Sequence, residues 1–334
     1  MQGNVATPSA PPGSAAAAPR KRRFLDMNNT RTFAGMLITP AQLVLLLIII
    51  FPLGLEAYIS MTSWTPTKGG NWWEAWQYWI WFENYVEVLT DPAFWQALGR
   101  TFLMVGIAVP LEFLLGFGLA LLFMDEFRGK AVFHTIFLIP MMIVPAVTGY
   151  MFYMLFQSNG PINAVLSMVA GHTVTVPWLT SETVAVISVI IAEVWQWTPL
   201  MFLIFVSGLM GLPEDQMRAA TMLGASFWQK FRYLMLPMLT PIIVIALVIR
   251  FMEAMKIFDA IFLLTGGGPA KATESFSIFM YKAAFLNYRW SYAAAAAIIV
   301  LVIMTIIASY ALRPLHSSEA KPIDEPESAA GEVF

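Results

Sequence analysis

Six stretches of the sequence are each long and apolar enough to cross a bilayer core of ~30 Å as helices that rise about 1.5 Å per residue. The composition agrees, because 58% of the 334 residues are hydrophobic and only 12% are charged. The sequence therefore predicts an all-α polytopic membrane protein with six transmembrane helices. The predicted helices cover residues 32–55, 101–124, 131–156, 183–210, 234–264 and 292–312.

The residues outside these helices predict two tails and an orientation. Residues 1–31 are rich in Ala, Pro, Gly and Ser and then become basic, which is typical of a disordered tail. Residues 315–334 predict a second tail, and residues 32–314 form the membrane domain. With the N-terminus inside, the cytoplasmic segments hold twelve Lys and Arg residues and the outer segments hold five. Because cytoplasmic loops carry the excess of positive charge, both termini are expected in the cytoplasm.

Composition and spacing exclude several classes of site. A net charge of −2 leaves no basic face for nucleic acid, and the chain has no cysteine for a disulfide, a thiolate metal site or a nucleophile. The three histidines lie far apart in the sequence, so no metal site is predicted. The Gly-rich run 266–271 lacks the Gly-Lys-Ser/Thr of a phosphate loop. We therefore expect no catalytic residue, no cofactor bound by this chain and no enzyme activity of its own.

An outer loop of residues 63–99 contains seven of the 12 tryptophans. Tryptophan is enriched at membrane–water interfaces, where its apolar ring and its polar N–H are both accommodated. The loop is therefore expected to form a belt on the membrane surface, to offer a docking platform to an external partner, or to do both.

The loop between the fourth and fifth predicted helices, residues 211–238, has the pattern of a short helix. Pro213 suits a first helical turn, Glu214 places negative charge at the positive end of the helix dipole, and Gly224 suits the left-handed conformation that ends a helix. Ala219 and Ala220 leave a low-profile surface. Such a helix fits a groove in another protein, although a loop helix that satisfies only its own backbone has the same features.

Three motifs in sequence order resemble those of a known family. They are Ala219-Ala220, Gly224-Ala225, Phe231 and Leu236-Pro237; then Phe258-Asp259 followed by Leu264-Thr265-Gly266-Gly267-Gly268-Pro269; and, earlier in the chain, Asn84-Tyr85 through Arg100-Thr101. Together they are similar to the membrane-spanning permeases of binding-protein-dependent ABC importers, in the carbohydrate-uptake group typified by the maltose and glycerol-phosphate systems. The Leu-Thr-Gly-Gly-Gly-Pro motif resembles the first of two paired sugar permeases. The resemblance extends over roughly residues 35 to 314.

The resemblance implies an assembly. Members of the family form half of a translocation pathway, pair with a second homologous permease subunit, and couple to two ATP-binding-cassette subunits that hold ATP and Mg²⁺. An extracytoplasmic solute-binding protein delivers the solute. The implied protein is a multi-pass permease in the lipid bilayer of the bacterial cytoplasmic (inner) membrane that imports a sugar or sugar derivative. The alternative is a secondary transporter of a small polar solute that uses intramembrane Arg and Glu, but such transporters commonly show inverted repeats, which this sequence lacks.

The short helix of the 211–238 loop matches the family's coupling helix, which contacts the ATPase. The residues implied at this contact are Pro213, Glu214, Arg218, Ala219, Ala220, Gly224 and Ala225. Two residues depart from the family pattern, since Arg218 stands where Glu is usual and Leu223 where Asp is usual. Arg218 is expected either to face solvent or lipid headgroups, or to meet a compensating acidic residue on this protein's own ATPase.

Charged residues within the predicted helices mark the expected solute path. An ionisable side chain at mid-membrane costs at least ~2.5–3.5 kcal/mol unless it faces a cavity or a partner. Glu112 in the second predicted helix is therefore a candidate for the solute path, as are the charged residues of the fourth and fifth predicted helices. In maltose-type permeases the sugar pocket lies midway along these two helices. The predicted pathway residues are Glu193, Gln196, Trp197, Leu200, Arg250, Glu253, Ala254 and Ile257.

The sequence allows two interpretations of Arg250. Its fork of donors suits phosphate, sulfonate or carboxylate groups, which hints at an anionic sugar derivative. Alternatively, Arg250 and Glu253 lie one turn apart and neutralise each other, either as a structural pair or as a site for a neutral sugar or polyol.

Overall fold

The computed structural model describes residues 30–125 and 127–319, so most of the two predicted tails lies outside the described residues. The chain divides into one unit that ends at Leu55 and another that begins at Glu56. Helix α1 (Thr30–Ser60) forms the described part of the first unit and ends within the second. The part of α1 that is long and apolar enough to span a membrane runs from Leu37 to Ser60, five residues beyond the predicted end.

The second unit is built from helices, and its described residues contain no β-strand. The helices are α2 (Glu83–Thr90), α3 (Pro92–Leu122), α4 (Lys130–Met142), α5 (Pro145–Leu155), α6 (Pro161–Ala170), α7 (Glu182–Met210), α8 (Glu214–Met222), α9 (Phe227–Lys230), α10 (Leu236–Ala254), α11 (Asp259–Leu264), α12 (Phe276–Tyr281) and α13 (Trp290–Glu319). The 3-10 helices are Pro66–Lys68 and Trp72–Tyr78, and the π-helical turns are Phe231–Met235 and Lys282–Leu286.

The all-α polytopic fold predicted from the sequence is confirmed. Among the described residues, five helical segments are long and apolar enough to span a membrane: Leu37–Ser60, Pro92–Leu122, Glu182–Met210, Phe227–Ala254 and Trp290–Arg313. Helices α4 and α5 together make the sixth candidate, but they are bent by 97° at their junction. The prediction of one continuous helix over residues 131–156 is therefore wrong, although the pair occupies the predicted position.

A proline explains this bend. The residue before a proline is disfavoured in the α-helical region, and Val144, which precedes Pro145, is extended with φ −60° and ψ 134°. Ile143 is extended as well, so α4 ends at Met142. The carbonyl of Ile143 accepts a hydrogen bond of 2.8 Å from Nε2 of Gln196 on α7. The break is thus fixed to a neighbouring span by a side chain.

The fifth predicted helix is also interrupted. The sequence predicts it over residues 234–264, but α10 ends at Ala254 and a separate helix, α11, begins at Asp259. Charged side chains at Glu253, Lys256 and Asp259 surround the break. Charges within a membrane protein favour a cavity or a partner over lipid, and these three residues line the cavity described below. The prediction of one continuous helix over residues 234–264 is therefore wrong.

Helices α3 and α7 pack closely in the second unit. An added Cβ at Gly116 of α3 would lie 2.6 Å from Cβ of Met201 and 2.8 Å from the backbone N of Phe202, so the helices meet where only glycine fits. Met201, Phe202 and Phe205 are fully buried. The ring of Phe205 packs edge-on against Phe117, with 5.0 Å between the centroids. This pairing positions the two helices that carry Glu112 and Glu193.

The Leu-Thr-Gly-Gly-Gly-Pro motif forms a closed loop between α11 and α12. Oγ1 of Thr273 donates to the carbonyl of Gly268 at 2.7 Å. Glu274 at the end of the loop is buried and pairs with Nζ of Lys282 at 2.9 Å and with Nη2 of Arg100 at 3.5 Å. Since Arg100 lies on α3, Glu274 ties the loop to that span.

Candidate functional site

A buried ion-pair cluster joins three of the spans. Arg250 on α10 donates from Nε to Oε2 of Glu112 on α3 at 2.6 Å and from Nη2 to Oε1 of the same residue at 3.0 Å. Nη2 also donates to Oε1 of Glu193 on α7. Relative exposure is 1% for Arg250, 0% for Glu112 and 6% for Glu193. A charged side chain within a membrane protein is thereby neutralised by charge-assisted hydrogen bonds from two helices.

A cavity of about 190 Å³ lies beside this cluster. Its lining residues are Pro145, Glu193, Trp197, Arg250, Glu253, Lys256, Ile257, Phe258, Asp259 and Ala260. The guanidinium carbon of Arg250 lies 4.9 Å from the ring centroid of Trp197, which is a cation–π contact. The cavity combines an aromatic ring with several ionisable groups, and it occurs where α4–α5 and α10–α11 are both interrupted.

Part of the cavity lining comes from α5 and α11, which approach each other closely. An added Cβ at Gly149 of α5 would lie 2.6 Å from the carbonyl O of Ala260 and 2.9 Å from its Cα. The two short helices therefore pack backbone to backbone. Pro145 begins α5 and Ala260 lies in α11, and both line the cavity, so this contact holds two of its lining residues together.

Five of the eight predicted pathway residues come together in this cavity. They are Glu193, Trp197, Arg250, Glu253 and Ile257. The structure thus brings the predicted parts of the fourth and fifth helices around one space.

The other three predicted pathway residues have different surroundings. Gln196 is buried, and its Nε2 is engaged by the Ile143 carbonyl. Ala254 is buried and lines a separate void of about 10 Å³ with Ile257. Leu200 is half-buried and does not line the 190 Å³ cavity. These three side chains belong to the packing around the site.

The partners of Arg250 differ from the sequence-based alternative. An Arg250–Glu253 pair within α10 is wrong, because the guanidinium binds Glu112 and Glu193 instead. Glu253 is exposed in the isolated chain and has no ion pair among the described residues. Burial explains the choice, because an unpaired carboxylate at Glu112 or Glu193 would be buried, whereas Glu253 is exposed.

Sequence reasoning missed three parts of the site. Glu112 stood out as a mid-membrane charge without a partner, and nothing in the sequence pairs it with Arg250 across 138 positions. Lys256 and Asp259 were not among the pathway residues, yet both line the cavity. A signal for these two existed, because the fifth predicted helix alone carries charges of both signs.

The predicted coupling helix is present as α8. Pro213 precedes its first residue, and Glu214 and Asp215 occupy its first turn. It ends before Gly224, which has φ +79° in the left-handed region that favours glycine. The predicted contact residues Pro213, Glu214, Arg218, Ala219 and Gly224 are exposed, whereas Ala220 and Ala225 are half-buried.

Arg218 has a partner on its own helix. Its Nη2 lies 2.5 Å from Oε2 of Glu214, four residues earlier, and both side chains are exposed. Exposed pairs at this spacing contribute little to stability. The guanidinium therefore remains accessible to another protein. Leu223, the second departure from the family pattern, follows the last residue of α8 and is 88% exposed.

A groove of about 810 Å³ runs beside α8. It is lined by Met124, Leu209, Met210, Leu212, Glu214, Met217, Arg218, Thr221, Met222 and Lys230. Met210 and Met222 are each more than four-fifths exposed. Methionine side chains adapt to irregular partners, so this face has the chemistry of a protein contact.

The Trp-rich outer segment is attached to the end of α1. Oη of Tyr58 donates to the carbonyl of Trp73 at 3.2 Å and accepts from the backbone N–H of Trp76 at 2.7 Å. Trp64 is buried and packs edge-on against Trp290, whereas Trp73 and Trp76 are exposed. The segment therefore presents aromatic rings outward, which fits both of the roles predicted for it.

The sequence profile of one family, described as the binding-protein-dependent transport system inner membrane component, matches residues 112–315. The chain belongs to this family. The matched residues 112–315 include Glu112, Glu193, Arg250 and the whole of α8, so the ion-pair cluster, the residues that line the cavity and α8 all lie in the part of the chain that this family covers.

Two relatives support the assignment, and one solved structure shows the same fold. The probable ABC transporter permease protein y4oQ of Sinorhizobium fredii is 40% identical over 81% of this chain and 84% of its own length. The trehalose/maltose transport system permease protein MalF of Thermococcus litoralis is 32% identical over 74% of this chain and 81% of its own. The crystal structure of a bacterial ABC transporter for the acidic polysaccharide alginate has the same fold, with a TM-score of 0.72 and 21% identity over 87% of this chain and 97% of the other.

Membership of the permease family confirms the resemblance found in the sequence. The protein is the membrane-spanning component of an ABC importer, which favours ATP-driven import over the alternative of a secondary transporter. As a multi-span protein of this family it is a transport component of the inner membrane.

Proposed function

We propose that the chain is one permease subunit of a bacterial sugar importer and that the cavity beside Arg250 is a station on the solute path. The observation that carries this proposal is the set of groups around one space: an aromatic face from Trp197, carboxylates from Glu253 and Asp259, and an ammonium from Lys256. Sugars are bound by stacking on a ring and by hydrogen bonds to hydroxyl groups. The similarity to a trehalose/maltose permease supports the same class of solute.

The cavity is smaller than the about 300–1,000 Å³ of most ligand pockets, at about 190 Å³. This size suits a half-site that a second homologous permease subunit completes. The exposed position of Glu253 in the isolated chain supports that arrangement, because a paired subunit would cover it. The predicted pathway residues are thus divided: Glu193, Trp197, Arg250, Glu253 and Ile257 face the solute, while Gln196, Leu200 and Ala254 shape the helices behind it.

In this proposal, helix α8 transmits the conformational change that ATP hydrolysis causes in the ATPase subunits to the permease. Two ATP-binding-cassette subunits, which hold ATP and Mg²⁺, receive α8 and the groove beside it. The exposed Leu223 and Met222 supply apolar contact area, and the Arg218 guanidinium offers a charge to a carboxylate on the ATPase. An extracytoplasmic solute-binding protein delivers the sugar from the other side. The excess of Lys and Arg on the side of α8 supports a cytoplasmic location for this loop and for both chain termini.

Reconstitution tests this function. The chain is placed in proteoliposomes with its second permease subunit, ATPase subunits and binding protein, and uptake of radiolabelled trehalose or maltose is measured with and without ATP. We expect uptake that requires ATP and all the partners. Uptake by vesicles that contain this chain alone would contradict the proposal. Failure of the assembled complex to transport any sugar, when a panel of neutral and acidic sugars is tested in the same way, would contradict it too.

A further inference from the structure

The positive charge of Arg250 is neutralised by carboxylates of the protein itself. Its Nε and Nη2 donate to carboxylates on two other helices, and the side chain is 1% exposed. An arginine that recognises an anionic solute instead presents its fork of donors to the solute. The guanidinium carbon also lies 4.9 Å from the ring centroid of Trp197. Arg250 thus borders the cavity without offering it an unpaired positive charge.

Taken together with the ion-pair cluster, the charges around the cavity are mostly negative. Glu193, Glu253 and Asp259 line it together with Arg250 and Lys256, so carboxylates outnumber cations. Glu112, behind Arg250, adds a further carboxylate. Lys256 is exposed, but Glu253 precedes it by three residues and Asp259 follows it by three, so an anion near its ammonium would also approach two carboxylates.

We propose that Glu112 and Glu193 determine specificity, by cancelling Arg250 so that the cavity admits uncharged sugars or polyols and rejects solutes with carboxylate, sulfonate or phosphate groups. This inference rests on the proposed function, because it concerns the same cavity. Low-dielectric walls focus the field of fixed charges into a cleft. An excess of carboxylates therefore disfavours anions here. The hint of an anionic sugar that Arg250 gives in the sequence is thereby reversed.

The absence of cysteine from the chain allows the field in the cavity to be measured directly. Ile257→Cys places one thiol on the cavity lining, in an assembled complex whose partner subunits are cysteine-free. The rate of modification is measured with two methanethiosulfonate reagents of similar size, one with an ammonium and one with a sulfonate group. Thr173→Cys, in the exposed loop between α6 and α7, is the reference thiol.

We expect the ratio of ammonium to sulfonate rates to be at least about tenfold higher at position 257 than at position 173. The ratio should fall when Glu253→Gln and Asp259→Asn are introduced, and fall again with Glu193→Gln. The first two residues are exposed, so these variants do not disturb the buried cluster. A ratio at position 257 equal to or below the reference would overturn the inference. Failure of both reagents to react there would overturn it too, because a sugar could not enter either.

Sugar uptake separates this inference from the proposed function. A complex that imports sugar with ATP but lacks the raised rate ratio contradicts the charge selectivity alone. A complex with the raised ratio but without ATP-dependent uptake contradicts the proposed function. In the active complex, Glu193→Gln should also raise competition by a glucuronic-acid glycoside relative to the matching glucoside by about tenfold, and an unchanged relative competition would count against the role of Glu193.

Discussion

Arg250 on α10 binds both carboxylate oxygens of Glu112 on α3, at 2.6 and 3.0 Å, although the two residues lie 138 positions apart. Glu193 on α7 binds the same guanidinium. A single side chain therefore connects three spans, and the site and the stability of the helix bundle depend on the same cluster.

Loss of Glu112 should destabilise the protein strongly. Glu112→Leu leaves a buried arginine with one carboxylate, and removing one partner of a buried pair typically costs about 3–5 kcal/mol. Thermal unfolding of the purified complex measures the effect. The control is Glu182→Leu, at the exposed start of α7, which should leave the Tm nearly unchanged. Equal Tm values for the two variants would show that the Arg250–Glu112 contact does not hold the spans.

Gln196 should act on stability rather than on sugar affinity. Gln196→Leu removes the hydrogen bond to the Ile143 carbonyl and leaves that oxygen unpaired at a cost of about 1–3 kcal/mol. We expect a lower Tm and a KM for sugar uptake that changes less than twofold. A raised KM with an unchanged Tm would instead place Gln196 in contact with the solute, as the sequence alone suggests.

The close packing of α3 on α7 should tolerate no side chain at Gly116. Gly116→Ala would place Cβ 2.6 Å from Cβ of Met201, and the backbone of α7 beside it cannot move freely. We expect a cost of about 1–3 kcal/mol, measured as a lower Tm. Gly118→Ala, on the same helix with nothing within 4 Å of the added Cβ, is the matched control and should be neutral or slightly stabilising. A similar loss in both variants would contradict the close approach.

Arg218 should contribute to coupling and not to folding. Arg218→Glu replaces an exposed cation next to Glu214 by a second carboxylate, so a carboxylate on the ATPase would then be repelled. We expect sugar-stimulated ATP hydrolysis to fall severalfold while the Tm stays within about 1 °C, because exposed charge pairs add little stability. Gln216→Glu, also exposed on α8, is the control for added negative charge. Unchanged hydrolysis in the Arg218 variant would support the solvent-facing interpretation.

The number, position and helical nature of the spans could be predicted from the sequence, because apolar length alone determines them. The breaks could not. Pro145 signals a possible bend, but a proline within a span often leaves the helix continuous, as Pro199 does in α7. The end of α10 at Ala254 depends on where Lys256 and Asp259 find a cavity, and that cavity exists only after packing.

The candidate site could also be predicted only in part, because some of its features are local in the sequence and others arise from packing. The helical period places Glu193 and Trp197 on one face, and the motifs locate them beside Arg250. The choice of Glu112 over Glu253 as the partner of Arg250 depends on contacts between distant spans, which a local pattern does not contain. Gln196 shares a helix face with Glu193, yet its side chain is engaged by the broken α4–α5 junction, another consequence of tertiary packing.

The most direct test of the sugar path compares two tryptophans on α7. Trp197 lines the cavity, whereas Trp195 packs edge-on against Phe152 at 5.4 Å and does not line it. ATP-dependent uptake of trehalose or maltose is measured in the reconstituted complex with Trp197→Leu or Trp195→Leu. We expect kcat/KM to fall at least about tenfold for Trp197→Leu, because aromatic stacking and cation–π contacts are worth about 1–2 kcal/mol. For Trp195→Leu, kcat/KM should stay within about twofold of the unmodified complex. Equal effects of the two substitutions would contradict the assignment of this cavity to the solute path.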